Sequence, residues 1–348
     1  MAPMAGHAAC CVPQSNPESK ARLNLQEATV VEAQKERRRA SDAKNAPSGL
    51  SIIIVTFNSA VALPQLLDSL PGGLKGVDHF GVVIVDNDSQ DGSADLAEAH
   101  PISPTVIRMG RNAGYAAAIN AAARTVDPDQ HLLILNPDLR LYPGAVGPLM
   151  EEAATPSTGV VVPMNHTEDG KIDLTLRREP SILTAWADAL LGGSLAAWMG
   201  LGEVISAYDR YRRRGPVEWA TGSALLVSAR ARQIVGRWDE SFFLYSEEVD
   251  YLRRVRDAGF DVIYEPLSQV MHTKGGSGRS ARLFALMTAN RIRYYQRRHG
   301  VLPTAIFRLA IVLGQVIRCW RGPWHRAALF GALRPLGSVS DFGTGSRA

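Results

Sequence analysis

Three short, wholly apolar runs, Ile52 to Val55, Val82 to Val85 and Leu132 to Leu135, alternate with stretches of helical periodicity, and this alternation restricts the fold most. A strand covered on both faces reads as a continuous apolar run rather than as an in–out alternation. Between the runs, Ala60 to Leu70 places Leu63, Leu66, Leu67 and Leu70 on one helical face, and Asp91 to Ala99 and Gly114 to Thr125 also read as helices. Val106 to Arg108 is a further short strand. Strand and helix in turn imply βαβ units on a parallel sheet, and right-handed crossovers bring the strands' carboxyl ends to one edge. The second half is mixed: strands at Val160 to Val162, Ala224 to Ser228 and Phe260 to Tyr264, a largely helical insertion from Arg177 to Arg214, and a helix from Glu247 to Ala258 stopped by Gly259.

Four strand ends of the first half carry similar polar residues. Thr56-Phe57-Asn58 follows the first, Asp86-Asn87-Asp88-Ser89 the second, Asn112-Ala113-Gly114 the third and Asn136-Pro137-Asp138 the fourth. Each is ordinary turn chemistry when taken alone. Together they lie on the edge where open α/β sheets bind ligands. No G-x-G-x-x-G follows the first strand, where the sequence is "TFNSAVALPQ", and no G-x-x-x-x-G-K-[ST] occurs, so dinucleotide and P-loop readings lose their main support. An acid at a strand end can accept hydrogen bonds from a base or ribose, with Asp86 best placed, and Asp138 can hold a divalent metal against a diphosphate.

The 348 residues suffice for a sizeable core, and Cys10, Cys11 and Cys319 are too few for a disulfide framework, which fits a reducing compartment. Between Pro266 and Ser340 there are 12 Lys or Arg and no Asp or Glu, while elsewhere 26 basic residues face 34 acidic ones. Residues 1–48 read as a disordered extension with some helix near Ala33 to Ala43, and the start "MAPMAGHAACCV" lacks the basic and apolar regions of a secretory signal. No run of about 18 apolar residues is evident. The nearest, "AIFRLAIVLGQVI" from Ala305 to Ile317, is interrupted by Arg308 and reads either as a helix in a membrane interface or as a buried C-terminal helix.

Seven blocks resemble the family 2 glycosyltransferases: "IIIVTFN" from Ile52, "VIVDNDSQDGS" from Val83, "RNAGYAAAIN" from Arg111, "LILNPDL" from Leu133, "WATGSALLVSA" from Trp219, "FFLYSEEVDYLRRVRDAGF" from Phe242 and "HTKGGS" from His272. Within that family the spacing is most like bacterial rhamnosyltransferases. The resemblance implies an α/β fold of the GT-A type, with a mostly parallel Rossmann-like sheet flanked by helices and a helical C-terminal extension. The implied organisation is a glycosyltransferase domain over 49–300, with a nucleotide-binding half (49–140) and an acceptor and catalytic half (141–300), followed by a basic amphipathic tail (301–348). The implied activity is inverting transfer of one sugar, L-rhamnose from a dTDP donor before UDP-galactofuranose or another UDP-hexose, to a cell-surface glycan or polyprenyl-diphosphate-linked acceptor. A nucleotidyltransferase or a non-catalytic scaffold is the rival reading.

Carried over residue by residue, the resemblance implies that Thr56, Phe57, Asn58, Asp86 and Asp88 contact the nucleotide, with Asn112, Gly114, Asn120 and Asn136 lining the donor site. Asn136-Pro137-Asp138 replaces the family's D-x-D motif, so Asp138 alone reaches the metal, Mg²⁺ or Mn²⁺, helped by His272. The following "TKGGSGR" has the composition of a mobile phosphate-binding loop. The base position holds Glu248 where the family has Asp, which leaves Glu248 and Glu247 as alternatives; acids in a first helical turn also simply complement the helix dipole. Trp219, Thr221 and Gly222 fall on the acceptor side. Gln233 to Trp238, "QIVGRW", is one residue too long and misplaced for a processive synthase's Q-x-x-R-W. The expected setting is cytoplasmic, peripheral on the inner face of the membrane. The expected partners are the dTDP- or UDP-sugar, the acceptor and an anionic membrane surface, with no nucleic acid.

Overall fold

The chain is described here by a computed structural model that covers residues 49–273 and 280–334. The strand order begins as expected: β1 (Leu50–Thr56) lies between β2 (Phe80–Asp86) and β4 (His131–Leu135), parallel to both, and β3 (Thr105–Arg108) runs parallel outside β2. Helices α1 (Leu63–Gly73), α2 (Ser93–Glu98) and α3 (Tyr115–Ala123) make the crossovers. The apolar runs are continuous because both faces are covered. Ile52 and Ile54 pack on Leu63, Leu66, Leu67 and Leu70 of α1, while Ile53 and Val55 pack toward Ile119 and Ala122 of α3. Each such fully buried side chain stabilises the fold by about 1.5–3 kcal/mol relative to exposure.

Beyond β4 the sheet continues through β10 (Ala224–Val227), β6 (Thr158–His166), β11 (Asp261–His272) and β5 (Leu139–Leu141), with β8 (Gly215–Pro216) on β11. β10, β5 and β8 run against their neighbours, so the sheet is mixed here, yet β6 and β11 keep the direction of β1 to β4. Thr56, Asp86, Leu135 and His272 therefore end strands on one edge. α4 (Val146–Ala153) covers one face, and α8 (Ala229–Val235) and α9 (Glu247–Asp257) the other. Gly259, at φ +85°, ends α9 with the bonds Phe260 N–H to Val255 and Gly259 N–H to Arg256 that define a Schellman stop.

Three expectations need correction. The strand begun at Phe260 runs on to His272, because the polar interruption at Glu265 to Gln269 is absorbed by a register shift against β6 rather than ending the strand. The insertion from Arg177 to Arg214 is only partly helical. Arg177 lies in β7 (Leu176–Arg177), paired with β9 (Trp219–Ala220), and three separate helices follow, α5 (Ile182–Leu191), α6 (Gly193–Trp198) and α7 (Tyr208–Tyr211). Gly192, at φ +86°, breaks α5 from α6. Finally, the apolar C-terminal stretch forms α11 (Val301–Arg318) and a following turn. Together they span 21 residues that include an 18-residue window of mean hydropathy 1.6, enough by length and composition to cross a membrane, contrary to the shorter run read from the sequence.

α11 also packs on protein. Phe307, Ala310 and Ile311 form an apolar cluster with Ala185 and Ala189 of α5, with Ile292 and Tyr295 of α10 (Ala281–Gln296) and with Ala332 of α12 (Pro323–Leu333). Arg308 donates to the carbonyls of Ala332 and Arg334, each at 2.7 Å, and Arg318 to those of Asp188 and Ala189, so both charges close helix ends. α10 and α12 touch backbone to backbone at Gly331, where a Cβ would stand 2.2 Å from the Ala285 carbonyl oxygen. The variant Gly331→Ala must push the two helices apart, and denaturant melts are expected to show a loss of about 1–3 kcal/mol.

Candidate active site

The loop ahead of α9 is the most constrained backbone at the edge of the sheet. Phe243, Tyr245 and Ser246 have φ of 64°, 68° and 73°, a left-handed conformation that non-glycine residues rarely hold. Three braces hold it. The Tyr115 N–H donates to the Phe243 carbonyl at 2.8 Å, and Asn290, fully buried on α10, donates from Nδ2 to the carbonyls of Phe242 (2.7 Å) and Leu244 (2.9 Å). Asn120 adds a third brace, exchanging hydrogen bonds with the Trp238 backbone at 2.9 Å in each direction. Gly114, at φ +91°, is required for this approach, since a Cβ there would meet the Phe243 carbonyl oxygen at 2.4 Å.

The loop delivers Glu247 and Glu248 into an open cleft of about 560 Å³. Glu247 is 3% exposed, and its Oε2 is buried with no hydrogen-bond partner among the described residues. Burial first, and then the charge of Glu248, raise its pKa well above the usual carboxylate range. Burial also raises Glu248, opposed by backbone N–H groups at the helix start and by the charge of Arg177. Gly222 lies against the Glu248 stem, where an added Cβ would stand 3.3 Å from the Glu248 Cβ. The phenol of Tyr115 donates to Asn136 Oδ1 at 3.0 Å and is raised by burial, with Glu247, Glu248 and Asp138 adding to the effect. Asp250, in contrast, is tied to Arg254 (2.8 Å) and Arg298 (2.9 Å).

Asp138 and His272 come together through the sheet, because β5 reverses after Asp138 and pairs Leu139 with His272 of β11. His272 Nε2 lies 3.2 Å from Asp138 Oδ1, and Nδ1 lies 3.8 Å from Asp173. Burial works against the charged imidazole, but the two carboxylates outweigh it and push His272 up to about 9. The contact is a charge-assisted hydrogen bond, so His272 could join Asp138 on a divalent ion only by giving up the Nε2 proton. No group of three or more His, Cys, Asp or Glu among the described residues could hold a metal, so an ion here would draw its other ligands from phosphate and water. The Lys274 to Arg279 part of the expected phosphate loop lies outside the described residues, as do residues 1–48.

The cleft gathers Asn136, Asp138, His272, Glu247 and Glu248 with Trp219, Thr221 and Gly222. The other expected residues form a platform on the strand ends. Asp86 accepts the Thr56 hydroxyl and the Ser89 N–H, both at 2.9 Å, and Asn58 accepts the Gln90 N–H at 2.8 Å. Thr56 and Asp86 are thus buried framework, whereas Phe57, at 50% exposure, and Asp88 present free surface. Asn112 accepts the Gly114 N–H at 3.2 Å. Asn120 faces the interior, with its amide spent on Trp238 and Glu240. Sequence reasoning did not single out Tyr115, Arg177, Asp188, Glu203 or Arg291, all of which line the cleft. Tyr115 stood inside a quoted block; the other four carry no local signal.

The structure is thus a Rossmann-like α/β sheet whose carboxyl edge holds an Asp–His pair beside a buried acidic pair. The sequence model described as Glycosyl transferase family 2 matches residues 51–200. The chain is 30% identical over 242 residues to N-acetylglucosaminyl-diphospho-decaprenol L-rhamnosyltransferase of Mycobacterium tuberculosis, covering 66% of this chain and 77% of that protein. It is 26% identical over 216 residues to the low-salt glycan biosynthesis hexosyltransferase Agl10 of Haloferax volcanii, covering 61% and 63%. A solved structure of GalNAc-T7 with UDP, GalNAc and Mn²⁺ superposes with a TM-score of 0.56 at 14% identity. That match covers 86% of this chain and 54% of the solved one, so the chain spans about half its length, and the likeness establishes the GT-A type of fold. The chain belongs to glycosyl transferase family 2 and is a glycosyltransferase.

The raised pKa of Glu247 has a stability consequence. The folded state holds this proton more tightly than the unfolded state, so the contribution is present below the unfolded pKa and is lost as pH rises through the folded one. Glu247→Gln removes that loss. Its Tm is expected to exceed that of the wild type by a margin that widens from about pH 5 to about pH 8, roughly 2–4 °C for each kcal/mol recovered.

Proposed function

We propose that the protein transfers one L-rhamnosyl residue from dTDP-rhamnose, with inversion, to a polyprenyl-diphosphate-linked glycan at the inner face of a membrane. The observation that carries this reading is the shared cleft, where the Asp138–His272 pair and a buried carboxylate pair line one space. The choice of rhamnose and of the lipid-linked acceptor is supported by the mycobacterial relative, whose name states both.

In this reading Phe57, Asn58 and Asp88 meet the nucleoside on the platform built by Thr56 and Asp86, with Asn112 and Gly114 closing its side. Asp138 and His272 would hold Mg²⁺ or Mn²⁺, which would supply positive charge beside the diphosphate when bound. Asp173 steadies the His272 ring from the far nitrogen. Trp219, Thr221 and Gly222 border the acceptor sugar. Its hydroxyl oxygen attacks the anomeric carbon from the face opposite the diphosphate, the new C–O bond forms as the old one breaks, and the proton passes to a carboxylate. Of the two candidates, Glu248 is the base. Glu247 is the more deeply buried and keeps its proton, while Arg177 favours ionised Glu248, so the environments push the two apart. Neutral Glu247 and the Tyr115 phenol then flank the base.

The same reading places α11 in the membrane interface. Leu302, Ile306, Leu309, Leu313, Val316 and Trp320 recur at helical spacing on the face away from Phe307 and Ile311, and most are exposed. The absence of acids from Pro266 to Ser340 suits anionic lipid, where a basic residue near the surface contributes about 1 kcal/mol. With its other face packed on α5, α10 and α12, the helix offers lipid one stripe, as a monotopic segment does.

Glu248→Gln should lower kcat at least 10²-fold while leaving dTDP affinity within about twofold. The acid limb of wild-type kcat/KM should lie above the ordinary glutamate range, because a base with a raised pKa is protonated, and silenced, at higher pH. Donor chemistry is tested by thermal shift: dTDP with Mn²⁺ should stabilise the protein, and Asp138→Ala should remove the metal-dependent part. Equal transfer by Glu248→Gln and the wild type would refute the base assignment.

A further inference from the structure

We propose that Arg177 forms a second diphosphate-binding subsite in the cleft, which receives the diphosphate of an isoprenoid-linked acceptor. The proposal rests on the transferase reading above and adds where the acceptor's charge is met. Arg177 is firmly placed, since its backbone pairs with Trp219 on one side and bridges to Val204 on the other. Its side chain lines the same cleft as Glu248.

Among the described residues three cationic side chains line that cleft, and two are committed. His272 is held by Asp138 and Asp173. Arg291 pairs with Glu203 at 2.5 Å and with Asp188 at 3.7 Å. Arg177 has no carboxylate within ion-pair distance among the described residues, and its hydrogen bonds leave only from Nη1, to the carbonyls of Leu174 and Leu176. Nε and Nη2 remain for a ligand. A planar guanidinium with two adjacent N–H groups free is the group that suits a diphosphate, which accepts from both at once.

Different strands carry this cation and the donor's pair. The Asp138–His272 pair sits at the junction of β5 and β11, whereas Arg177 lies on β7, where its charge acts on Glu248, Glu203 and Asp188. This part of the cleft continues to α11. Arg318 of α11 bonds the carbonyl of Asp188 at 2.8 Å, and Ile311 and Gln315 line the cleft itself. A lipid leaving the subsite past Gln315 reaches the exposed stripe of Leu309, Val316 and Trp320. The acceptor diphosphate at Arg177 then leaves its sugar hydroxyl beside Glu248.

Full-length protein would be titrated with farnesyl diphosphate, farnesyl monophosphate and farnesol in EDTA, with dTDP plus Mn²⁺ measured in parallel, for the wild type, Arg177→Gln and Arg177→Lys. The expected result is wild-type preference for the diphosphate, weakened about tenfold in Arg177→Gln and less in Arg177→Lys, with dTDP affinity within about twofold. Unchanged farnesyl diphosphate binding in Arg177→Gln overturns the proposal, and so does an equal loss of dTDP binding, which would put Arg177 at the donor. If Arg177→Gln does not fold, the wild-type ranking of diphosphate over monophosphate and the Arg177→Lys affinity decide. A wild type that binds dTDP with Mn²⁺ but no farnesyl diphosphate sinks the subsite and leaves the transferase reading intact; failure to bind dTDP in folded protein sinks that reading itself.

Discussion

The site depends on one backbone constraint, the left-handed loop from Phe243 to Ser246. Three non-glycine residues at positive φ cost of order 1–3 kcal/mol each, and they persist only where the surroundings leave no alternative. Here the surroundings are α3 and α10. The Tyr115 N–H and the Asn290 amide take the carbonyls that the turned backbone presents, and Gly114 gives the loop room to come close. The strain fixes where α9 begins, and so fixes Glu247 and Glu248.

The same placement explains how two adjacent glutamates can do different work. Both sit in the first turn of α9, where the helix dipole favours negative charge, yet burial at Glu247 overcomes that preference. Residues adjacent in a helix point about 100° apart. Glu247 is thereby turned inward, and Glu248 toward Gly222 and the cleft. The missing side chain of Gly222 leaves room for the Glu248 stem, since an added Cβ there would stand 3.3 Å from the Glu248 Cβ.

The first half of the fold was legible because its signals are local. A run such as Leu133 to Leu135 is apolar on both faces wherever it pairs, and the polar residue after it must fall at the strand's end. The second half depends on long-range register. Nothing near Asp138 announces that β5 reverses and pairs with β11, yet that pairing alone brings His272 within 3.2 Å. The extension of β11 past Pro266 was hidden for the same reason, since a bulge repairs in three dimensions what looks like a break in one. Asn290 and Arg291 stand in a stretch of mixed polarity whose meaning comes from the loop and the acids they face.

α11 shows why apolar length is a poor guide by itself. Its composition satisfies the requirement for crossing a bilayer, but the residues that make it apolar serve two surfaces. Phe307, Ala310, Ile311 and Gly314 pack inward, with the Phe307 ring stacked 4.0 Å from that of Tyr295, and the arginine that interrupts the run closes the end of α12. Withdrawing the helix to span a membrane would expose that cluster and leave the end carbonyls of α5 and α12 unpaired. A helix apolar on both sides, with protein bound to one, keeps its second apolar face for a surface outside the fold.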